Sequence, residues 1–525
     1  MDKILRENQP KSLLRILQKK DEYISAPCNG NGTCGKCVVR FQSGATEPSA
    51  RDREIFSEKQ LAEGYRLACQ SYPTEVYEIK IPQEEEEIEV LSGWQEEKRL
   101  FGEYGKAEDR THGENKAEQP EHAVYGICMD IGTTTLAAVL VNLTTQEECQ
   151  TAVSVNHQRA YGSDVLSRIS ASNSGKKWEI QRCIRQDLQK LIRELFQKEK
   201  ITERQIQRIV IAGNTTMCHL LRGFSCETLG VAPFLPVDLS WMEGSAVEFL
   251  GMKELDTKVV ILPGISAFVG ADIMAGIAKM NMEKSERYHL LLDIGTNGEM
   301  VLGNRNHMYV TSTSAGPAFE GGNISCGMAS VPGAISHVFM DEAGKVGFQM
   351  IGETEGENKK KQPAIGLCGT GMIDLAYELR KHQMIDEHGT YSDPYFDTGY
   401  ELAEKVKFTQ NDMRELQMAK AAIRAGVDIL IKKAGITFGQ VEYCYLAGGF
   451  GTKIDIKKAA GIGLIPKELE MKTIPAGNTV LAGTKEVLIG RISKEELEKI
   501  QTMADVINLA EENDFEELYL SYMDF

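Results

Sequence analysis

Three cysteines stand close together in APCNGNGTCGKCVVRF, where Cys28, Cys34 and Cys37 follow a CxxxxxCxxC spacing, and a fourth, Cys69, comes later in YRLACQS. Four thiolates gathered this way can hold a soft metal centre. Glycines at 30, 32 and 35 let the backbone wrap closely, with positive φ and inward amides, as inorganic sulfides require. Structural zinc sites usually pair CxxC or Cys/His knuckles, and here one CxxC stands without a nearby histidine. A redox dithiol would use Cys34 and Cys37 and leave Cys28 and Cys69 idle. The four therefore read as ligands of a [2Fe-2S] cluster. The other eight cysteines, at 128, 149, 183, 218, 226, 326, 368 and 444, are scattered singly and read as small buried hydrophobes.

A second chemistry lies downstream. DIGTTT (130–135) and DIGTNGE (293–299) each place Asp, Gly and Thr in a turn between two apolar runs. Such a turn offers a terminal phosphate bare backbone N–H groups and hydroxyl donors, with a carboxylate for hydrated Mg2+. The residues concerned are Asp130, Gly132, Thr133 and Thr134 in the first copy, and Asp293, Gly295, Thr296 and Asn297 in the second. One copy alone would merely close a hairpin; two copies point to nucleotide binding. YLAGGFG (445–451) adds Gly448 and Gly449 after an apolar strand, where an adenosine can lie flat on the backbone. Taken alone, that pair is equally a tight strand-to-helix turn.

The elements that position these groups divide the chain. Residues 1–83 carry short strand-like runs around the cysteines. Residues 84–122 are dense in charge and poor in periodicity, as a solvated, hinge-like linker would be. From 123 to 285 and from 286 to 525 two α/β units follow, each opening with strand, Asp-Ile-Gly-Thr turn and strand. The repeat falls 163 residues apart, which suggests a duplicated subdomain rather than a solenoid. The 525 residues exceed what one core usually serves. A net charge of −17 argues against nucleic acid and anionic membrane as partners. Neither a signal peptide nor a spanning apolar run is present, so a cytoplasmic protein is expected.

The cysteine spacing is one residue longer than the plant-type CxxxxCxxC and resembles the adrenodoxin-like ferredoxins, which implies an α+β, β-grasp domain. Only about ten residues precede SLLRILQKK, leaving little room for the hairpin that opens such domains. The two Asp-Ile-Gly-Thr turns and YLAGGFG resemble the phosphate and adenosine motifs of the acetate and sugar kinase, heat-shock chaperone and actin superfamily. That resemblance implies a two-lobed α/β ATPase with ATP and Mg2+ in the cleft, facing Asp130 and Asp293. It also implies connecting helices in PGISAFVGADIMAGI (263–277) and GNTVLAGTKEVLI (477–489), and makes Asp272 and Glu299 candidates for positioning the attacking water.

A ferredoxin-like domain joined to this ATPase resembles the reductive activators of corrinoid enzymes over nearly the whole chain. IAGNTTM (211–217), TSAGPAFEGGNISCGM (313–328) and LCGTGMIDL (367–375) carry the likeness further. The resemblance implies ATP-driven transfer of an electron to cobalt(II) of a corrinoid protein in a methyltransferase system, restoring cobalt(I). An upstream donor such as a ferredoxin or flavodoxin is implied, and a homodimer is left open. Some relatives carry C-terminal [4Fe-4S] clusters; no cysteine follows Cys444 here. Plant-type clusters lie near about −400 mV. Were the cobalt couple about 200 mV lower, one electron would cost roughly 4–5 kcal/mol. That is on the scale of the ~5.5 kcal/mol that reverses a two-state equilibrium.

Three other readings fit parts of the pattern. A small-molecule kinase of the same superfamily would use the cluster domain as a regulator. An activator of a radical dehydratase would hold a [4Fe-4S] cluster between two subunits and lack a ferredoxin domain. A redox-sensing module would use ATP only structurally.

Overall fold

The computed structural model describes residues 11–20, 22–24, 26, 30, 32, 35–73, 76–81, 123–342, 344–352, 363–404, 406–448 and 453–525. The charged stretch 84–122 lies outside the described residues, as do residues 1–10, where an opening hairpin would fall.

In SLLRILQKK the leucines at 13, 14 and 17 recur on one helical face, and the helix Leu13–Lys19 buries all three against Val39, Phe41 and Leu67. The strands it covers are β1 (Val38–Ser43), β2 (Tyr65–Leu67) and β3 (Glu78–Lys80), antiparallel in the order β2-β1-β3. Two short helices, Ala50–Ile55 and Glu58–Ala62, each begin at a serine whose side chain is reciprocated from the third helical residue, Asp52 or Gln60. Asp52 has a second task. Its other oxygen accepts the Leu67 N–H at 2.7 Å, fixing β2 just ahead of Cys69.

The first α/β lobe contains β4 (Tyr125–Ile131), β5 (Thr135–Asn142), β6 (Glu148–Val155), β7 (Ile206–Gly213), β8 (Met242–Ser245) and β9 (Lys258–Ile261), in the order β6-β5-β4-β7-β9-β8. β4, β5 and β6 form an antiparallel meander, while β7 and β9 run parallel to β4. YGICMDI and TLAAVLVN are apolar almost throughout because helices cover both faces of their sheet. The amphipathic helix Lys177–Glu199 supplies one cover, burying Ile180, Ile184, Leu188, Leu191 and Leu195.

The second lobe repeats the plan. It begins with β10 (Tyr288–Ile294), β11 (Gly298–Gly303) and β12 (Met308–Thr313). A side sheet of β13 (Ala334–Met340), β14 (Val346–Met350) and β15 (Gly366–Leu367) and a hairpin of β16 (Tyr400–Ala403) and β17 (Val406–Phe408) are inserted. The main sheet resumes with β18 (Val441–Ala447), β19 (Thr473–Gly477) and β20 (Ala504–Val506), giving the order β19-β18-β10-β11-β12-β20. Strand for strand, β12-β11-β10-β18-β19 matches β6-β5-β4-β7-β9, with the same parallel and antiparallel pairings. The repeated sequence is thus a repeated fold: a two-lobed actin-like ATPase with duplicated subdomains.

Two helices cross between the lobes, Ala271–Lys279 and Thr479–Leu488. They meet at glycines, for a Cβ on Gly483 would lie 2.2 Å from the Ala275 carbonyl oxygen. The second helix belongs to the C-terminal half, yet Val480, Leu481, Val487 and Leu488 enter the core of the first lobe. Both helices are shorter than the stretches that suggested them. Residues 263–270 form a turn held by the Ser266 hydroxyl, which accepts the N–H groups of Phe268 and Val269.

Candidate functional site

The sulfur ligands come first. Cys37 and Cys69 are both buried, at the ends of the paired strands β1 and β2, where the Ala68 N–H donates to the Cys37 carbonyl at 2.8 Å. Cys28 and Cys34 lie outside the described residues. The glycines between Cys28 and Cys37 adopt the expected conformation, with φ of 88° at Gly30, 80° at Gly32 and 70° at Gly35. Each is also packed where a side chain would collide or press. A Cβ on Gly30 would come to 3.2 Å from Leu14 and 3.8 Å from the Cys69 Cβ, and one on Gly35 to 2.8 Å from Ile55. Gly30 therefore lies against Cys69, and the described half of the ligand set fits a cluster. Elsewhere, burial pushes the thiols of Cys128, Cys326 and Cys444 up to about 12, and that of Cys226 to about 11, as inert interior cysteines.

The second site lies in the cleft, where β4 and β10 end side by side in their Asp-Ile-Gly-Thr turns. Asp130 closes β4 and accepts a 2.8 Å hydrogen bond from Asn478 Nδ2, the residue that also caps the crossing helix Thr479–Leu488. Asp293 closes β10 and is cross-strand to Glu299 on β11. Asp272 sits in the first turn of the crossing helix Ala271–Lys279, its Oδ1 accepting the Ile273 N–H. These four carboxylates share one field. Burial pushes Asp130 up to about 7, with Asp272 adding to the rise. Burial, then Asp272 and Asp130, lifts Asp293 to about 7. Asp272 itself is raised by burial to about 6. Glu299 is raised well above the usual carboxylate range by burial, then by Asp272 and Asp293. Among the described residues no three of these carboxylates converge as a metal cage; Asp130 and Asp293 instead fit hydrated Mg2+, which takes one or two carboxylates and completes its shell with water and phosphate oxygens.

A glycine and two side chains shape the cleft for a nucleotide. Gly448, at the end of β18, has φ of 90°, and a Cβ there would lie 2.8 Å from both Asp293 Oδ1 and the Ile294 carbonyl. Gly449 lies outside the described residues. Asn214 of IAGNTTM caps the helix Thr215–Arg222 and donates to the Thr133 hydroxyl at 3.0 Å. Arg168, fully buried, donates to the Thr133 carbonyl at 2.6 Å.

Several participants carry no motif in the sequence. Asn156 donates from Nδ2 to the Gly132 carbonyl at 2.9 Å and from its backbone to the Thr134 carbonyl at 2.8 Å. Asn156 also caps the short turn His157–Ala160. On that turn the cluster domain rests: Gln18 Nε2 donates to the Ala160 carbonyl at 2.8 Å, and Tyr23 packs against His157 and Tyr161. The turn His157–Ala160 thus connects the first Asp-Ile-Gly-Thr turn to the cluster domain, and Tyr23 adds a 3.3 Å hydrogen bond to Gln186 Oε1 on the helix Lys177–Glu199. Nothing local marks these residues; only a capping asparagine before a turn could have signalled Asn156 or Asn478.

A cluster-binding β-grasp domain fused to a duplicated actin-like ATPase defines a class of ATP-dependent redox proteins. Residues 287–525 match the model for the C-terminal domain of RACo, the ASKHA domain, and residues 125–285 match the RACo middle region. Residues 2–74 match the 2Fe-2S iron-sulfur cluster binding domain. The chain is 28% identical to the corrinoid activation enzyme RamQ of Eubacterium limosum, over 94% of this chain and 92% of that one. It is 27% identical to the Co(II) methylated amine-specific corrinoid protein reductase of Methanosarcina barkeri, over 77% of each. A solved structure titled reductive activator for corrinoid, iron-sulfur protein aligns with 98% of this chain and 95% of its own, at a TM-score of 0.69 and 28% identity. The chain belongs to the reductive activators of corrinoid enzymes.

Proposed function

We propose that this protein restores cobalt(I) in the corrinoid protein of a methyltransferase system, passing one electron to cobalt(II) in an ATP-dependent step. The observation that carries the reading is the joining, on one chain, of the four-cysteine domain to a cleft with two phosphate turns. When bound, a [2Fe-2S] cluster supplies single electrons at low potential. Cys28, Cys34, Cys37 and Cys69 are its ligands, and the glycines at 30, 32 and 35 let the loop approach.

In the cleft, Gly132, Thr133, Thr134, Gly295, Thr296 and Asn297 would donate to the phosphates, and Asp130 and Asp293 would hold the hydrated Mg2+ that offsets phosphate charge. Gly448 and Gly449 leave room for the adenosine. Asp272 and Glu299 hold the attacking water; burial raises Asp272 to about 6, which suits it to exchange a proton near neutral pH. Closure on the nucleotide moves the lobes about the glycine crossing of the two helices. It also displaces the first phosphate turn, which draws on Asn156 and so on the turn beneath Gln18 and Tyr23. Units 1–83, 123–285 and 286–525 act as electron carrier and two lobes, connected through 84–122. A ferredoxin or flavodoxin supplies the electron, and the protein works in the cytoplasm, away from nucleic acid and membrane. Among the described residues, no helix is long and apolar enough to cross a membrane.

ATP turnover by the purified protein, with and without a cobalt(II) corrinoid protein, tests this reading. The partner is expected to accelerate hydrolysis, and a panel of sugars and carboxylic acids to yield no phosphorylated product. A phosphorylated small molecule would identify a kinase instead.

A further inference from the structure

Glu320 has no role in the account so far, although it stands in the middle of TSAGPAFEGGNISCGM. It ends the 3₁₀ turn Pro317–Glu320, and its side chain reaches into the cleft between the two phosphate turns. Oε2 accepts the Thr296 hydroxyl at 2.9 Å and the Thr134 hydroxyl at 3.3 Å, one donor from each lobe. The Thr296 backbone N–H donates to the same carboxylate. Oε1 lies 3.5 Å from where a Cβ on Gly295 would stand, directly over the second Asp-Ile-Gly-Thr turn. Two hydroxyls and a backbone amide, drawn from both turns, are the donors a terminal phosphoryl group would take.

We propose that Glu320 is an internal occupant of the terminal-phosphate seat, which bridges the lobes when nucleotide is absent and must leave before a triphosphate can bind. A carboxylate and a phosphoryl group are both anionic acceptors, so they cannot share these donors. The Glu320 backbone is tied. Gly321, at φ of 81°, packs so closely that a Cβ there would lie 2.2 Å from the Met328 nitrogen. The carboxylate therefore leaves by rotation of its own side chain. Burial raises the Glu320 pKa, while the hydroxyls of Thr296 and Thr134 and the Thr296 N–H favour its ionised form. A diphosphate, which does not reach the seat, escapes the competition.

The inference rests on the nucleotide reading of the cleft, and calorimetric titration separates the two. The full chain, Glu320→Gln and Glu320→Ala are each titrated with ADP and with a non-hydrolysable ATP analogue, in Mg2+. Circular dichroism and melting temperature serve as folding controls. Glu320→Ala is expected to bind the analogue about tenfold tighter or more, as loss of a charged competitor for two hydroxyls implies. ADP should change by less than about threefold. Glu320→Gln, which keeps an acceptor oxygen and loses the charge, should fall between. Unchanged or weaker analogue binding in both folded variants would overturn the proposal. A fall in turnover at unchanged affinity would also overturn it, marking Glu320 as a water-positioning group. If ADP and the analogue bind none of the three proteins, the nucleotide reading itself fails.

Discussion

Asp130, Asp272, Asp293 and Glu299 are held in one another's field, with no Lys or Arg among the described residues shifting them, and their protonation carries a measurable consequence. Folding lifts Asp130 and Asp293 to about 7 and Asp272 to about 6. Between about pH 4, where free carboxyls ionise, and pH 7, the native state therefore holds protons that the unfolded chain has released. Stability of the nucleotide-free protein is expected to fall as pH rises through that window. Mg2+ with nucleotide should restore it, binding more tightly at pH 8 than at pH 6 with release of protons. Melting curves across pH, with and without Mg·ADP, check both directions. Asp293→Asn should weaken Mg·nucleotide binding by about 10- to 100-fold. At the cluster end, Asp52 joins a helix cap to β2, and Asp52→Ala leaves the buried Leu67 N–H unpaired. A loss of about 2–3 kcal/mol is expected, together with reduced cluster content by iron and sulfide analysis.

The two Asp-Ile-Gly-Thr hairpins were legible in the sequence because both halves of each are local: an apolar run, a turn with the right donors, and a second run paired in register. The amphipathic helix Lys177–Glu199 is local in the same way, its buried Ile180, Ile184, Leu188, Leu191 and Leu195 recurring at helical spacing. Glu320 and Asn478 were not, since their partners Thr134 and Asp130 lie 186 and 348 positions away. The superfamily resemblance also overran the crossing helices, because residues 263–270 fold into the Ser266 turn, where Gly270 closely approaches Asn214. Where the helices cross, the chain tolerates no side chain. Gly483→Val should cost about 1–3 kcal/mol through overpacking. It should also impede nucleotide-dependent closure, read as loss of the change in small-angle scattering on adding an ATP analogue.

At the scale of the whole molecule, the four-cysteine loop and the cleft are distinct chemistries that must act in sequence. The route between them is short: phosphate turn, Asn156, the turn His157–Ala160, then Gln18 and Tyr23. Asp187, buried, accepts both the backbone N–H and Nδ1 of His157, so the turn is braced from below. The double variant Gln18→Ala, Tyr23→Ala should leave Mg·ADP affinity within about threefold of the parent. It should abolish the ATP-dependent part of electron delivery, because neither residue touches the cleft. Both domains could be read from the sequence; their mode of contact could not, because pairs such as Gln18 with the Ala160 carbonyl and Tyr23 with Gln186 follow no spacing or pattern.

The coupling of the two chemistries is tested most directly under strict anaerobiosis. The reduced protein is mixed with a cobalt(II) corrinoid protein, and cobalt(I) is followed by its absorption with and without Mg·ATP. Cobalt(I) is expected to accumulate only when ATP is present and hydrolysable. Equal accumulation without ATP would contradict the account.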